Sequence, residues 1–94
     1  MQLIAKVLPK SEHVAEAVEA IRGIISVTRE EPGCLHFNVF TAKDGQVIYI
    51  DEAWSGPVAF QFHHDQAYTK AIIDLYGDWL AQPPELIELS PVEA

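Results

Sequence analysis

The chain has 94 residues, 49% of them hydrophobic, and a formal net charge of −8. Such a length makes one domain, residues 1–94, and the hydrophobic share excludes an intrinsically disordered chain. The acidic balance excludes nucleic acid and anionic membrane as partners, because both need a basic surface. A single cysteine, Cys34, excludes an intrachain disulfide and a cysteine-rich metal centre and fits a reducing compartment. The N-terminal apolar stretch is interrupted by Lys6 and Lys10, too short to span a membrane, and lacks a signal-peptide cleavage pattern. A cytoplasmic location is therefore expected.

Residues 2–8 predict a first strand with Leu3, Ala5 and Val7 on one face, ended by Pro9. Ser11 offers an N-cap to a helix running to about Glu30, with Val14, Val18, Ile21, Ile25 and Thr28 as its buried stripe and Gly23 inside it. Glu31-Pro32-Gly33 stops that helix. Residues 34–41 predict a second strand, with Leu35, Phe37 and Val39 on one face and Cys34, His36, Asn38 and Phe40 on the other. The second face is mixed, as a pocket wall would be. Lys43-Asp44-Gly45 closes a hairpin, since Asp-Gly tolerates left-handed turn geometry.

The third strand, residues 46–54, has the densest mix of β-branched and aromatic residues in the chain. Val47, Tyr49, Asp51 and Ala53 share one face; Ile48, Ile50, Glu52 and Trp54 share the other. Both faces are mainly apolar, so both are expected to be covered. A short helix then follows Ser55-Gly56-Pro57 as far as His63-His64, and a second helical piece spans roughly 67–80. The latter carries an apolar stripe of Tyr68, Ile72, Leu75, Tyr76 and Trp79. Pro83-Pro84 forbids helix, residues 85–89 alternate as a fourth strand, and Pro91 begins a loose tail.

This order is the α+β, ferredoxin-like β-α-β-β-α-β pattern, with helices on one face of an antiparallel sheet. A chain this short cannot also cover the other face. A second copy is the simplest cover, so a homodimer through the sheet faces is expected.

The stretch Thr28-Arg29-Glu30-Glu31-Pro32-Gly33-Cys34-Leu35-His36-Phe37, followed by Glu52-Ala53-Trp54-Ser55 and His63, resembles the antibiotic biosynthesis monooxygenase family. It is especially similar to the small quinol monooxygenase-like members. The resemblance covers nearly the whole chain and implies a dimeric α+β barrel, in which two ferredoxin-like subunits pack sheet against sheet. It also implies oxygenation of a phenol or quinol by molecular oxygen with no flavin, haem or metal. Other members of the superfamily isomerise sugar phosphates, degrade haem or have no known reaction. The family often has a second histidine where this chain has Tyr68, and His64 here is an addition. The tryptophan and late-helix histidine of the haem-degrading relatives are absent near His63 and Ile73, so no cofactor is expected.

Three residues are candidates for catalysis. His63 titrates near neutral pH and suits a general base, or else orders the break between two helical pieces. Glu52 is a base if buried, or a carboxylate satisfied by the backbone or by Arg29. Asn38 could steady a developing oxyanion. His36, Trp54, Phe62 and Tyr68 are candidates to bind an aromatic substrate, with Trp54 alternatively filling core volume. Neighbouring His63, His64 and Asp65 do not converge as metal ligands, so no metal site is expected. His64 points about 100° away from His63 on the helix and is expected to be exposed.

The sequence thus points to a cofactor-independent monooxygenase acting on a small aromatic molecule. Two alternatives stand beside it: a non-catalytic small-ligand-binding or stress-associated dimer, and an isomerase of a small phosphorylated carbonyl compound. The isomerase needs a cationic phosphate site, to be built from only 6 Lys and Arg residues.

Overall fold

The computed structural model describes residues 1–93; Ala94, the end of the expected domain and of its loose tail, lies outside the described residues. Four strands, β1 (Gln2–Val7), β2 (Cys34–Thr41), β3 (Ile48–Trp54) and β4 (Glu85–Leu89), pair in the order β2-β3-β1-β4, antiparallel throughout. Between β1 and β2 lie a short 3-10 turn at Ser11–His13 and the helices α1 (Val14–Arg22) and α2 (Ile25–Arg29). Between β3 and β4 lie α3 (Pro57–Asp65) and α4 (Ala67–Trp79). This is the ferredoxin-like topology expected from the order of elements.

The alternation along β1 and β3 decides which face the helices cover. Leu3, Ala5, Val7, Ile48, Ile50 and Trp54 are buried and meet Ala17 and Ile21 of α1, Ala59 of α3 and Ile72 of α4 in one core. Removing these side chains from water is the main driving force for closing the helices onto the sheet. Lys10 N–H donates to Trp79 O (2.8 Å) and Ala81 N–H to Leu8 O (2.9 Å), tying the end of α4 to the exit of β1. The N-terminal amine donates to Trp54 O (2.9 Å) while Trp54 N–H donates to Met1 O (2.8 Å), which pins the end of β3.

Among the described residues, no helix packs on the opposite face of the sheet. There His36 Nε2 lies 3.0 Å from Asp51 Oδ1, and Gln2 Nε2 donates to the same oxygen at 2.6 Å. Around this polar centre, Phe40, Ile87 and Leu89 are exposed.

Three expectations about element boundaries change. The long helix is broken at Gly23-Ile24, where Gly23 forms the C-cap of α1 and its N–H bonds Glu19 O at 3.0 Å. Ile24 leaves the helical region (φ −107°, ψ 0°), and the chain restarts as α2 at Ile25. Ser11 starts a 3-10 turn and makes no side-chain cap bond. The third strand begins at Ile48, because Ala42 N–H bonds Val47 O (2.8 Å) and draws Val47 into the hairpin loop.

The largest departure is in β2. Cys34 pairs with Trp54 but His36 pairs with Ala53, so Leu35 is a bulge residue and is 66% exposed. The reason is a parity conflict. Cys34 packs against the core, and so does Phe37 three positions later, yet an unbroken strand puts such residues on opposite faces. One extra residue resolves it.

Candidate functional site

A cavity of about 250 Å³ lies between the covered face of the sheet and the helices α1, α3 and α4. Ala5, Val7, Ile50 and Phe37 form its floor, Ile21 and Ile24 one side, and Ile72, Ile73 and Tyr76 the other. Pro84 and Leu86 flank it at β4. The few polar groups are Glu52, His63, His64, Thr69 and the Tyr76 phenol. An apolar enclosure with a few convergent polar groups is the usual form of a small-molecule site.

Glu52 reaches this space because strand alternation places it on the covered face between Ile50 and Trp54. It is only 4% exposed, and the Trp54 indole Nε1–H donates to its Oε1 at 3.0 Å. Burial disfavours the charged form and pushes its carboxyl above the ordinary range, against the lowering effect of the indole bond. Its charge in turn adds to the burial that pushes the Tyr76 phenol up to about 12.

His63 sits in the last turn of α3, one turn after Ala59 and on the same buried side. Its ring stacks on Trp54 (centroids 4.9 Å apart, planes 28° apart) and leans on Phe37 at 5.6 Å. His63 Nδ1 lies 2.9 Å from Glu31 Oε2, and the Tyr68 hydroxyl donates to that same oxygen. Thr69 Oγ1 is 3.5 Å from Nδ1, at the limit of hydrogen bonding. Burial holds the His63 pKa below its usual value, and the bond to Glu31 and the Glu31 charge act in the opposite sense.

The loop that delivers Glu31 depends on Gly33. Gly33 has φ +83, and a Cβ there would lie 2.5 Å from Ala59 Cβ and 2.6 Å from Ser55 Oγ. Only glycine lets the loop lie this close to α3. Ser55 N–H donates to Gly33 O (2.8 Å) and Cys34 N–H to Glu31 O (3.1 Å), so the loop is held at both ends.

The cavity thus brings together His63 and Glu52. It does not bring in Asn38 or His36, which lie on the far face of the sheet. Arg29 Nη2 donates to Asn38 Oδ1 (3.1 Å) and Arg29 Nε to Phe37 O (3.0 Å), while His36 belongs to the Asp51 cluster. Arg29 is therefore not the partner of Glu52. Trp54 is fully buried behind His63, Phe62 is 42% exposed, and Tyr68 faces Glu31; none of the three is among the residues lining the cavity. His64, expected to be exposed, is half-buried at the cavity wall, and its Nδ1–H donates to Phe60 O at 3.0 Å. Glu31 and Tyr76 were missed. The first was hidden in a helix-stop signal, the second in an apolar stripe. Cys34 is held above its usual pKa by burial and by Glu31 and Glu52, so its thiol is inert at neutral pH. Among the described residues, no group of three or more His, Cys, Asp and Glu side chains could hold a metal ion.

Comparison with solved structures gives the same fold repeatedly. Rv0793 from Mycobacterium tuberculosis superposes with a TM-score of 0.90 at 20% identity, covering 99% of this chain and 95% of its own. PA3566 from Pseudomonas aeruginosa gives 0.89 at 21%, covering 97% and 92%. A conserved protein from Methanosarcina mazei gives 0.82 at 23%, covering 92% and 86%. The family model for antibiotic biosynthesis monooxygenase matches residues 2–75, so the chain belongs to the antibiotic biosynthesis monooxygenase family.

Proposed function

We propose that the protein is a cofactor-independent monooxygenase of a small quinol or phenol, with His63 as the base and Glu52 as the polar partner of the substrate's second oxygen. The observation that carries this reading is a histidine, stacked on Trp54 and bonded to a buried carboxylate, in the wall of an apolar cavity. Loss of the ring hydroxyl proton to His63 makes the substrate electron-rich enough to give one electron to oxygen. Recombination of the pair forms a carbon–oxygen bond, and breaking the O–O bond with loss of water leaves a hydroxyquinone from a quinol or a quinone from a phenol. All four electrons that reduce the oxygen molecule come from the substrate, so the residues need only move a proton and exclude water.

Two features weigh against the alternatives. The cavity lining includes no Lys or Arg to hold a phosphate, which disfavours the isomerase. Phe40 and Phe62 are exposed, so the cavity is not filled by the aromatic side chains that a purely structural core would place there. The uncovered sheet face, with exposed Phe40, Ile87 and Leu89 around the His36–Asp51 pair, supports a homodimer with the cavities on its outer sides. A cytoplasmic location completes the proposal.

Oxygen uptake with a panel of benzo- and naphthoquinols tests the activity. His63→Ala should lower kcat/KM by ~10²–10⁴-fold, the usual worth of a general base. No enzyme-dependent uptake and no oxidised product across the panel would overturn it.

A further inference from the structure

We propose that Glu31 is the positioning residue of His63: an ionised carboxylate that keeps the ring proton on Nδ1 and leaves the Nε2 lone pair for the cavity. This builds on the role given to His63 above and assigns a second residue to it.

Glu31 Oε2 lies 2.9 Å from His63 Nδ1 and accepts from the Tyr68 hydroxyl. An oxygen that takes the Tyr68 proton in a hydrogen bond carries none of its own, so the proton that joins it to the ring is on the nitrogen. His63 Nε2 makes no hydrogen bond among the described residues, yet it is not one of the fully sealed unpaired atoms. The space it can open on is the cavity that the ring lines.

The pair is almost wholly withdrawn from water, with side-chain exposures of 6% for His63 and 3% for Glu31. An imidazole this deep is a weak base unless an opposite charge faces it. When the substrate proton reaches Nε2, Nδ1 keeps its own proton and Glu31 stays ionised. The buried unit then goes from one net negative charge to none. Trp54 and Phe37 hold the ring plane while this happens.

A packing role alone does not account for the carboxylate. Glu31 Oε1 is buried with no hydrogen-bond partner, so a neutral amide or an aliphatic side chain would sit there with less penalty. The other titratable groups near the ring are His64 (ring centroids 5.2 Å away), Glu52 from β3, Tyr68 from α4 and Cys34 beside Glu31. None of these makes a hydrogen bond to the His63 ring, so Glu31 holds the direct contact.

The test is nitrogen-resolved NMR of the His63 ring in the full chain, as wild type, Glu31→Gln and Glu31→Asp. The expected wild-type result is a neutral ring protonated on Nδ1. Glu31→Gln fills the same space but removes the charge, and should lower the ring's proton affinity by at least about tenfold. Glu31→Asp should restore part of it. With any quinol that gives enzyme-dependent uptake, Glu31→Gln should lower kcat, leave KM unchanged and move the acid limb of the pH profile to lower pH. A wild-type ring protonated on Nε2 overturns the proposal, as does a Glu31→Gln ring that titrates like wild type. The tautomer measurement decides even where Glu31→Gln does not fold. Absence of turnover with every quinol strikes the proposed activity alone, because the NMR result needs no substrate.

Discussion

Gly33→Ala perturbs the contact on which the Glu31 loop and α3 both depend. The φ of +83 puts an alanine in the left-handed region, at about 1–2 kcal/mol. The added Cβ would also lie 2.5 Å from Ala59 Cβ, which has no torsion to turn away with, so α3 or the loop must move. Overpacking of that kind costs about 1–3 kcal/mol. The sum, about 2–5 kcal/mol, is a large part of the roughly 5–15 kcal/mol that holds a small domain together. Urea unfolding followed by tryptophan fluorescence should show a midpoint lower by about 1 M or more. Gly77→Ala is the control. It lies within α4, where a Cβ meets nothing within 4 Å, and should stabilise the chain by about 0.5–1 kcal/mol. If both variants unfold at the same urea concentration as wild type, the account of Gly33 is refuted. Because Ala59 and His63 lie one turn apart on α3, Gly33→Ala should also disturb the His63 ring signals more than its loss of stability requires.

Glu52→Gln keeps an acceptor for the Trp54 indole and removes a buried charge. Burial raises the Glu52 carboxyl above 4.5, so above that pH the folded chain keeps a proton that the unfolded chain has released. Wild-type stability therefore falls as pH rises from 4.5 through the raised value. The stability gained by Glu52→Gln should grow across that window and then level off, as measured by urea unfolding at successive pH values; a constant difference contradicts it. His63 contributes in the opposite sense, because its lowered pKa removes stability as pH falls below 6.5, but it does so in both proteins and cancels. For assembly, sedimentation at micromolar concentration should show a dimer, and Ile4→Glu should give a folded monomer. Ile4 stands on the uncovered face of central strand β1, paired with Asp51 and Ile87. A wild-type monomer would remove the case for a sheet-to-sheet contact.

The fold was largely legible because each strand and helix states its own period. The alternation of Leu3, Ala5 and Val7, and of Ile48, Ile50 and Glu52, sorted the side chains onto two faces, while two apolar faces on the third strand left open which one the helices take. That alternation also put Glu52 in the cavity wall. The break in α3–α4 and the position of His63 followed from local composition. What was not legible were matters of contact between distant segments. Glu31 and His63 are 32 positions apart, and nothing in either stretch says that a glycine will let one loop settle on the other's helix. Asn38 and His36 were placed by a strand phase that the bulge preserves for them. The side of the sheet on which that phase lies was decided by Phe37, which is buried opposite Glu52. Tyr76 reads as packing in the sequence because an apolar stripe does not distinguish a ring that fills a core from one that borders a hollow.

The bulge at Leu35 works as a frameshift in a code of period two. Upstream of it, the inward positions are read from the Glu31-Pro32-Gly33 loop; downstream, from the sheet. The two frames meet at a residue that itself faces water. A one-residue deletion here would therefore not shorten a loop. Removing Leu35 would set Cys34 beside His36, still opposite Trp54 and Ala53, so each would keep its present face and only the extra residue's bend would be lost. Sequences that lack the spare residue align with this one only through a gap at this point; an ungapped match sets one frame against the wrong face. The price of an apparently idle leucine is thus a loop and a strand that can each follow their own pattern.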